Sequence, residues 1–452
     1  MGKIILIAAA NYDSKTGKLG IGFKNGMPWY IPEDLKRFKK LTENEIVVMG
    51  RKTYQSIGQS LKNRVNIVLS QNMCFYVPND VLLFSTIQEV LYYKSFSTKD
   101  LYIIGGEQIY KMFIDMCDEI LLTDVFGDFK CDTFFPEIPS TFELNETETD
   151  NGSCRYLKYV QKKESLVNED NYLKLTKKIL THGTTRVDRT GTGTIALFGE
   201  QVRYNISKSV PLLTTKFVSW KNVIHELIWI LKGETSTDYL IKNNVKIWNG
   251  NTSRQFLDSI GKVDYPVGDL LYGYGHQLRH SGSPDNGVGG FDQLKYVENL
   301  LKTDPFSRRI LWNLWNPSDL DKMVLQPCHN QIQFYVEEKD GEKLLSGILY
   351  MRSQDIFLGA PYNMFSYTAL IYILALKCGM KPNMLIVNMG DSHIYSNHIE
   401  QTDIQNNRSI RSEPVLKLSN DLITKDWSEI TIDDFELIGY YPHPVIKGVM
   451  AV

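Results

Sequence analysis

Short, continuous apolar runs recur through the first part of the chain, separated by polar stretches with helical spacing. The runs are IILIAAA (4–10), EIVVMG (45–50), NIVLS (66–70), VLLF (81–84), LYIIGG (101–106) and EILLTDV (119–125). Runs without apolar–polar alternation are typical of strands buried on both faces of a sheet. The pattern therefore predicts an α/β sheet in this part of the chain.

The stretch QKKESLVNED (161–170) is polar and charged, and we interpret it as a domain boundary. It lacks Pro and Gly, which favours a short hinge or a helix start over a long flexible linker. An amphipathic helix is predicted at 168–180, followed by helices at 221–232, 291–302 and 364–378 and strands at 309–315, 330–337, 344–351 and 384–388. We expect two domains, 1–162 and 171–452, with a junction at 163–170.

Composition narrows the class of protein. The 50 basic and 52 acidic side chains give a net charge of -2, so there is no global basic footprint for nucleic acid. Six cysteines without a C-x-x-C pair argue against a zinc ribbon and suit a reducing compartment. The apolar start fits a buried strand better than a signal peptide, and no run approaches the roughly 20 residues of a membrane span. We expect a soluble cytoplasmic protein that needs no metal.

One carboxylate in the first region could carry chemistry. GIGFKNGMPWYIPEDLKRFKKL (20–41) leads from a Gly-rich loop into a helix predicted from Pro32, with Asp34 in its first turn. A first-turn Asp most often only complements the helix dipole. Beside Trp29, Leu35 and Phe38, however, Asp34 would lie in an apolar cleft that raises its pKa and lets it hold or relay a proton.

Two strand-to-helix junctions carry glycine, the usual backbone cradle for phosphates. They are Gly50-Arg51-Lys52-Thr53 and Gly105-Gly106-Glu107-Gln108, and the two basic residues of the first suit an additional phosphate such as that of NADP. The G-x-G-x-x-G fingerprint is absent, so this is not an ordinary Rossmann site.

Together these segments resemble dihydrofolate reductase. The matching motifs are IAA (7–9), GIG and NGMPW (20–29), PEDLKRFK (32–39), VMGRKTYQSIG (48–58), NRVNIVLS (63–70), IGGEQIY (104–110) and LLTDV (121–125). The resemblance implies a mostly parallel sheet flanked by helices, NADPH-dependent reduction of dihydrofolate and a cis Gly105-Gly106 peptide.

The resemblance also implies residue roles. Asp34 would hold the pterin ring and support protonation of its N5, with Thr123 linked to Asp34 and Arg64 paired with the glutamate carboxylate. The other implied dihydrofolate contacts are Ala9, Leu35 and Phe38. The implied NADPH contacts are Ala10, Ile21, Gly50, Arg51, Lys52, Thr53, Ser70, Gly105, Gly106, Glu107, Gln108 and Tyr110.

In the second region, LQPCHNQIQF (325–334) places Cys328 where it could be a nucleophile, half of a disulfide or a small core residue. A nucleophilic thiol needs nearby positive charge to lower its pKa. The candidate sources are Arg189, Arg308, Arg309 and Arg352. An arginine fork also matches a phosphate. Arg308 and Arg309 would point to opposite faces of a strand, so one chain could hardly aim both at a phosphate unless another subunit supplies them.

This region resembles thymidylate synthase. The motifs are DRTGTGT (188–194), PLLTTK (211–216), HELIWILKG (225–233), NNVKIW (243–248), DPFSRRI (304–310), LQPCHNQIQFYV (325–336), RSQDIFLGAPYN (352–363), GDSHIYSNHIEQ (390–401) and YPHPVIKGVMAV (441–452). The resemblance implies an α+β domain, a mixed sheet with helices that dimerises through the sheet. It implies reductive methylation of dUMP by 5,10-methylenetetrahydrofolate, giving dTMP and dihydrofolate.

By the same resemblance Cys328 attacks the pyrimidine at C6, and Asn363 binds its N3–H and O4. Arg189, Arg352 and Ser353 bind the phosphate, joined by Arg308 and Arg309 from the partner subunit of a homodimer. The remaining implied dUMP contacts are Gln354, Asp355, His393 and Tyr395. The residues implied to organise water and proton transfer are Glu226, Tyr274 and His329. The implied folate contacts are Trp248, Asp355, Gly359 and Val452.

The chain departs from the family pattern at Met351, at Asn249 and at 271–273, which could loosen folate binding or alter the rate. Three other hypotheses compete. A thiol hydrolase would pair Cys328 with His329, but adjacent strand residues face apart. A pyrimidine nucleotide hydroxymethylase would keep the thiol and arginines, but Asn363 argues against it. An inactive nucleotide-binding protein would not need Asp34, Cys328 and Glu226 together.

Overall fold

In this computed structural model, the described residues are 2–72, 74–149, 152–162, 168–187, 191–283 and 289–450. They form two compact units. The first comprises Met1–Ser165, Ser409–Glu413 and Gly439–Pro444, and the second comprises Leu166–Arg408, Pro414–Ile438 and Val445–Val452. The two-domain α/β organisation predicted from the sequence is thereby confirmed. Most of the predicted junction, 163–167, lies outside the described residues.

The first unit is built on a mostly parallel sheet. Its strands run in the order β5-β4-β3-β6-β1-β7-β10-β9, with β2 and β8 attached beside β1. The strands are β1 Ile4–Asp13, β2 Lys18–Gly22, β3 Ile46–Gly50, β4 Val65–Leu69, β5 Val81–Phe84, β6 Leu101–Gly105, β7 Glu119–Val125, β8 Thr133–Phe135, β9 Phe142–Thr149 and β10 Cys154–Gln161. The helices are α1 Pro32–Thr42, α2 Arg51–Ile57, α3 Ile87–Ser95 and α4 Glu107–Phe113.

Burial on both faces explains why six of these strands were readable as apolar runs. Val47, Val48 and Met49 follow one another in β3, point alternately to the two faces of the sheet, and are all completely buried. The antiparallel strands β9 and β10 were not predicted, because polar and apolar residues mix along both. β9 is the edge strand, and β10 pairs with β9 and β7.

The second unit has a six-stranded mixed sheet in the order β11-β12-β16-β15-β14-β13, in which β15 and β16 are parallel. The strands are β11 Thr184–Arg186, β12 Thr194–Asn205, β13 Leu311–Asn313, β14 His329–Lys339, β15 Glu342–Asp355 and β16 Lys381–Tyr395, with a separate hairpin of β17 Val415–Leu418 and β18 Phe435–Ile438. The helices are α5 Asn168–His182, α6 Trp220–Leu231, α7 Asp238–Lys242, α8 Arg254–Ser259, α9 Tyr274–Arg279, α10 Gln293–Thr303, α11 Gly359–Lys377 and α12 Ile399–Asn406.

One predicted strand is much shorter than expected. The sequence predicted a strand at 309–315, but β13 covers only Leu311–Asn313. The backbone N–H of Leu311 donates to the carbonyl of Arg309 at 3.0 Å, a tight turn that keeps Arg308 and Arg309 out of the ladder. The expectation that these two arginines alternate along a strand was therefore wrong. Of the helices in the described ranges, none combines the length and hydrophobicity needed to cross a membrane.

Candidate active sites

The first candidate site lies where α1 starts over the sheet. Thr123 of β7 pairs with Ala9 of β1 in the parallel ladder, which brings this threonine beneath the first turn of α1. Its hydroxyl donates a 2.6 Å hydrogen bond to the Asp34 carboxylate. Burial raises the pKa of Asp34, while the bond from Thr123 and the charge of Arg37 partly oppose that rise. A carboxyl group held in this way can retain a proton above the usual pH range.

The other end of α1 offers a cation. The Arg64 guanidinium donates to the Thr42 hydroxyl at 2.8 Å and lies 5.9 Å from the ring centroid of Phe38. Asp34 and Thr42 are eight residues apart, or about 12 Å along the helix. Leu35 is partly exposed beside them. The helix thus presents a carboxyl group, an apolar surface and a cation in succession, which matches a heteroaromatic ring with a carboxylate at its far end.

Two glycine turns pack against each other at the carboxyl ends of β3 and β6. Met49 pairs with Gly105 in the ladder, and the Gly105-Gly106 peptide is cis, as predicted. A Cβ on Gly106 would lie 3.3 Å from the Thr53 hydroxyl, and one on Gly50 would lie 3.0 Å from Ile109. Neither α2 nor α4 has a side-chain cap at its start, so backbone N–H groups there remain available to an anion.

Several predicted NADPH residues support this region from within the fold. The Tyr110 hydroxyl donates to the Ile7 carbonyl at 2.8 Å, and Glu107 binds Lys111 at 2.6 Å and the Phe134 N–H at 3.1 Å. Ser70 directly follows β4 and accepts from the Asn72 N–H at 3.1 Å. Ala10 is buried, and Ile21 lies in β2, whereas Arg51, Lys52 and Gln108 lie in the first turns of α2 and α4.

The second candidate site surrounds Cys328, immediately before β14. None of the six cysteines forms a disulfide, and all six lie in the described ranges, which removes that alternative for Cys328. Arg352 of β15 donates to the carbonyls of Pro327 at 2.7 Å and Gln326 at 2.8 Å, and its Nη2 lies 3.7 Å from the Cys328 sulfur. A guanidinium at this distance favours the thiolate.

Aromatic side chains lie beside the backbone of Cys328. The Tyr274 hydroxyl accepts from the Cys328 N–H at 3.0 Å, and its ring stacks on His329 at 4.1 Å. His329 Nδ1 lies 2.6 Å from the Tyr367 hydroxyl, and burial lowers the pKa of His329 to about 3. This histidine is therefore neutral at physiological pH.

Glu226 lies on α6 and accepts a 2.9 Å hydrogen bond from the indole N–H of Trp248. Burial raises the pKa of Glu226 to about 7, although the bond from Trp248 lowers it. The Trp248 ring lies 5.8 Å from that of Tyr274. A carboxyl group that titrates near neutrality can either give or take a proton during a reaction.

The ends of β15 and β16 place the remaining predicted residues side by side. Ser353 pairs with Asp391 and Asp355 with His393 in the parallel ladder. His393 Nδ1 bonds to the Asp391 carboxylate at 2.8 Å, and its ring packs edge-on against Tyr395 at 4.9 Å. The Asp355 carboxylate accepts from the N–H groups of Phe357 and Leu358, just before Gly359 and Asn363 in the start of α11.

Some predicted site residues are not brought together. Arg308 and Arg309 are exposed in their turn. Gln354, in contrast, is buried and lines a cavity together with Asn363, and its side-chain oxygen has no hydrogen-bond partner within the described part of the chain. Arg189 and Val452 lie outside the described residues. Thr194 pairs with Tyr395, so the segment that contains Arg189 precedes a strand beside the site.

Sequence reasoning missed two partners whose spacing could have revealed them. Tyr367 lies four residues after Asn363 on α11 and therefore on the same helix face. Asp391 lies two residues before His393 and therefore on the same face of β16.

A carboxyl group whose pKa is raised by burial lies in the first unit, and a thiol beside an arginine lies in the second unit. This arrangement is typical of a two-domain enzyme with a candidate active site in each unit. The dihydrofolate reductase family model matches residues 3–162, and the thymidylate synthase model matches 170–452.

Curated relatives match almost the whole chain. The bifunctional dihydrofolate reductase-thymidylate synthase of Paramecium tetraurelia is 40% identical, with 96% of each chain covered. The Arabidopsis thaliana relative, bifunctional dihydrofolate reductase-thymidylate synthase 2, is 37% identical, with 97% of this chain and 87% of the relative covered. The Zea mays relative is 34% identical, with 97% of this chain and 95% of the relative covered. The chain belongs to the bifunctional dihydrofolate reductase–thymidylate synthase family. It therefore has both activities.

Proposed function

We propose that Asp34 serves NADPH-dependent reduction of dihydrofolate and Cys328 serves methylation of dUMP by methylenetetrahydrofolate. The observation that carries the second assignment is the 3.7 Å contact between the Arg352 guanidinium and the Cys328 sulfur. Consumption and regeneration of the folate then occur on one chain, because the dihydrofolate released by the synthase is the substrate of the reductase. A hydroxymethylase is not favoured, since the family comparison assigns synthase activity to this domain.

In the reductase, Asp34 would hold the protonated edge of the pterin, and Thr123 fixes the orientation of that carboxyl group. NADPH supplies the hydride. The Gly50 and Gly106 turns would receive its phosphates on backbone N–H groups, and the basic Arg51 and Lys52 would favour the additional phosphate. Arg64 would pair with the glutamate carboxylate beyond the Phe38 ring.

In the synthase, the Cys328 thiolate would form a bond to C6 of dUMP, which moves the C5–C6 π electrons to C5 and makes it the nucleophile. Methylenetetrahydrofolate supplies the one-carbon unit and the hydride that reduces it. Loss of the C5 proton and cleavage of the S–C6 bond then release dTMP. Neutral His329 and the titrating Glu226 would order the water that carries protons near the ring. Asn363 would fix the ring through N3–H and O4.

Arg352 has a remaining Nη1 group for the phosphate, because in the described part of the chain its hydrogen bonds use the backbone N–H, Nε and Nη2. Ser353 and Arg189 would complete the phosphate contacts that one subunit supplies. We propose that Arg308 and Arg309 of a partner subunit supply the rest, since both are exposed. The enzyme would then be a homodimer through the synthase sheet, located in the cytoplasm, with domains 1–162 and 171–452.

Separate assays of the two reactions test the assignment. Cys328→Ala should abolish dTMP formation and leave dihydrofolate reduction unchanged, whereas Asp34→Asn should do the reverse. Each variant is the folding control for the other, because its unaffected reaction reports an intact chain. Formation of dTMP by Cys328→Ala, or unimpaired reduction by Asp34→Asn, would refute the corresponding assignment.

A further inference from the structure

The C-terminal segment, residues 445–450, is held by hydrogen bonds to the backbone carbonyl of Val449. The Val449 carbonyl accepts hydrogen bonds from His398 Nε2 at 2.9 Å and from the Asn397 side-chain amide at 3.3 Å. The side chains of Val449 and Met450 are 75% and 48% exposed, so they add little apolar anchoring. Two hydrogen bonds and little buried side chain make an attachment that can form and release readily.

His398, by contrast, is completely buried. Its ring lies 5.0 Å from Phe357 and 6.0 Å from Tyr395. Because Nε2 faces a carbonyl, it must carry the proton, and Nδ1 has no hydrogen-bond partner in the described part of the chain. The ring is thus oriented by packing on its sides and by Val449 in front.

The surroundings of His398 lead directly to the synthase site. The Phe357 N–H donates to Asp355 at 3.0 Å, and Tyr395 packs against His393. Gly448 fits closely in the same place, because a Cβ there would lie 2.9 Å from Phe357 and 3.0 Å from His398 Nε2. The docked segment therefore contacts residues that adjoin both the proposed folate contact and the proposed sugar contact.

We propose that His398 is a positioning residue for thymidylate synthesis, which docks the C-terminal segment through the Val449 carbonyl. This inference rests on the proposed synthase site. Docking would hold Phe357 and Asp355 in place for the folate, so its loss should weaken folate use more than dUMP binding.

His398→Phe removes the donor and retains a ring between Phe357 and Tyr395. Its KM for methylenetetrahydrofolate should rise about three- to tenfold, the factor expected for one hydrogen bond, while kcat changes less and the Kd for dUMP is unchanged. Carboxypeptidase should remove the C-terminal residues faster than in the wild type. His398→Gln, which retains an N–H donor, should recover part of the KM effect.

Gly448→Ala tests the same docking from the other side. It should reproduce the higher KM, and the double variant with His398→Phe should be no worse than either single variant, because both break one contact. Wild-type KM and carboxypeptidase resistance in His398→Phe would overturn the proposal even though dTMP is formed. If His398→Phe fails to bind dUMP, the Gly448→Ala variant decides the question. An unchanged KM for methylenetetrahydrofolate together with an unchanged rate of carboxypeptidase cleavage in Gly448→Ala would refute the docking role.

Discussion

The indole N–H of Trp248 donates a 2.9 Å hydrogen bond to the Glu226 carboxylate in the synthase site. This bond favours the ionised carboxylate, but burial dominates and raises the pKa of Glu226 to about 7. The group therefore changes its charge in the physiological range, unlike neutral His329 nearby. Two titratable side chains near one thiol are thus given different protonation states by their surroundings.

Glu226→Gln should remove an ionisation near pH 7 from the synthase pH–rate profile. Gln retains an acceptor for Trp248 but cannot exchange a proton, so kcat should fall about a hundredfold or more. The profile of kcat against pH measures the effect, with dihydrofolate reduction as the control. A Glu226→Gln profile that still shows the wild-type ionisation would assign it to another group.

The same substitution should stabilise the fold at alkaline pH. A carboxyl group with a raised folded-state pKa costs no stability below its unfolded value of 4.5, and the cost grows as pH rises to about 7. Glu226→Gln removes a cost of at most roughly 3 kcal/mol at pH 8. The unfolding midpoint of the variant should exceed that of the wild type at pH 8 and approach it near pH 5. An equal gain at both pH values would contradict this account.

In the reductase site, Thr123→Val should move the pH dependence of dihydrofolate reduction. The Thr123 hydroxyl stabilises ionised Asp34, so its removal raises the pKa of Asp34 further. The loss of activity at rising pH should then occur at higher pH, with a rate reduced about tenfold from the lost positioning. Thr123→Ser is the matched control, because it keeps the hydroxyl and should keep the wild-type profile. If Thr123→Val instead lost activity at a lower pH than the wild type, the result would contradict the proposed role of Thr123.

Arginine sharing predicts complementation between inactive variants. An equal mixture of Cys328→Ala and Arg309→Ala chains, refolded together, forms hybrid dimers in about half of cases. Each hybrid has one site with an intact thiol and the partner's intact Arg309, so the mixture should recover about a quarter of wild-type dTMP formation. The separate variants provide the baselines. No recovery in a mixture proven to contain hybrids would place Arg309 with the thiol of its own chain.

How far the sequence could predict this molecule depends on whether the determinant is local. Six strands were readable because both of their faces are buried. Asp34 and Cys328 stood out through the sequence motifs around them, although the side chains that contact them, Thr123 and Arg352, lie far away in sequence. β10, which lies between β7 and the edge strand β9, was missed because its buried and partly exposed positions do not form a continuous apolar run. The surroundings of Arg308 depend on a turn after α10 and, in our proposal, on another chain. No periodic pattern contains that information.

Arg411 is the clearest determinant that local pattern could not reveal. It belongs to the Ser409–Glu413 segment of the first unit and is only 6% exposed. Its guanidinium donates to the carbonyls of Gly17 at 2.7 Å and Tyr441 at 2.8 Å and pairs with Glu137 at 2.5 Å. Gly17 directly precedes β2, so Arg411 fixes the entry of a strand that carries the predicted cofactor contact Ile21.

Arg411→Ala should destabilise the reductase by about 3 kcal/mol, because two buried carbonyls lose their donor. Arg411→Lys should recover only part of this, since one ammonium cannot reproduce the planar fork. Glu137→Gln should cost less than 1 kcal/mol or so, because Glu137 is 46% exposed and water can replace the charge. The temperature at which half of the reductase activity survives heating measures all three. Equal effects of Arg411→Ala and Glu137→Gln would show that the ion pair, and not the two carbonyl contacts, stabilises this part of the unit.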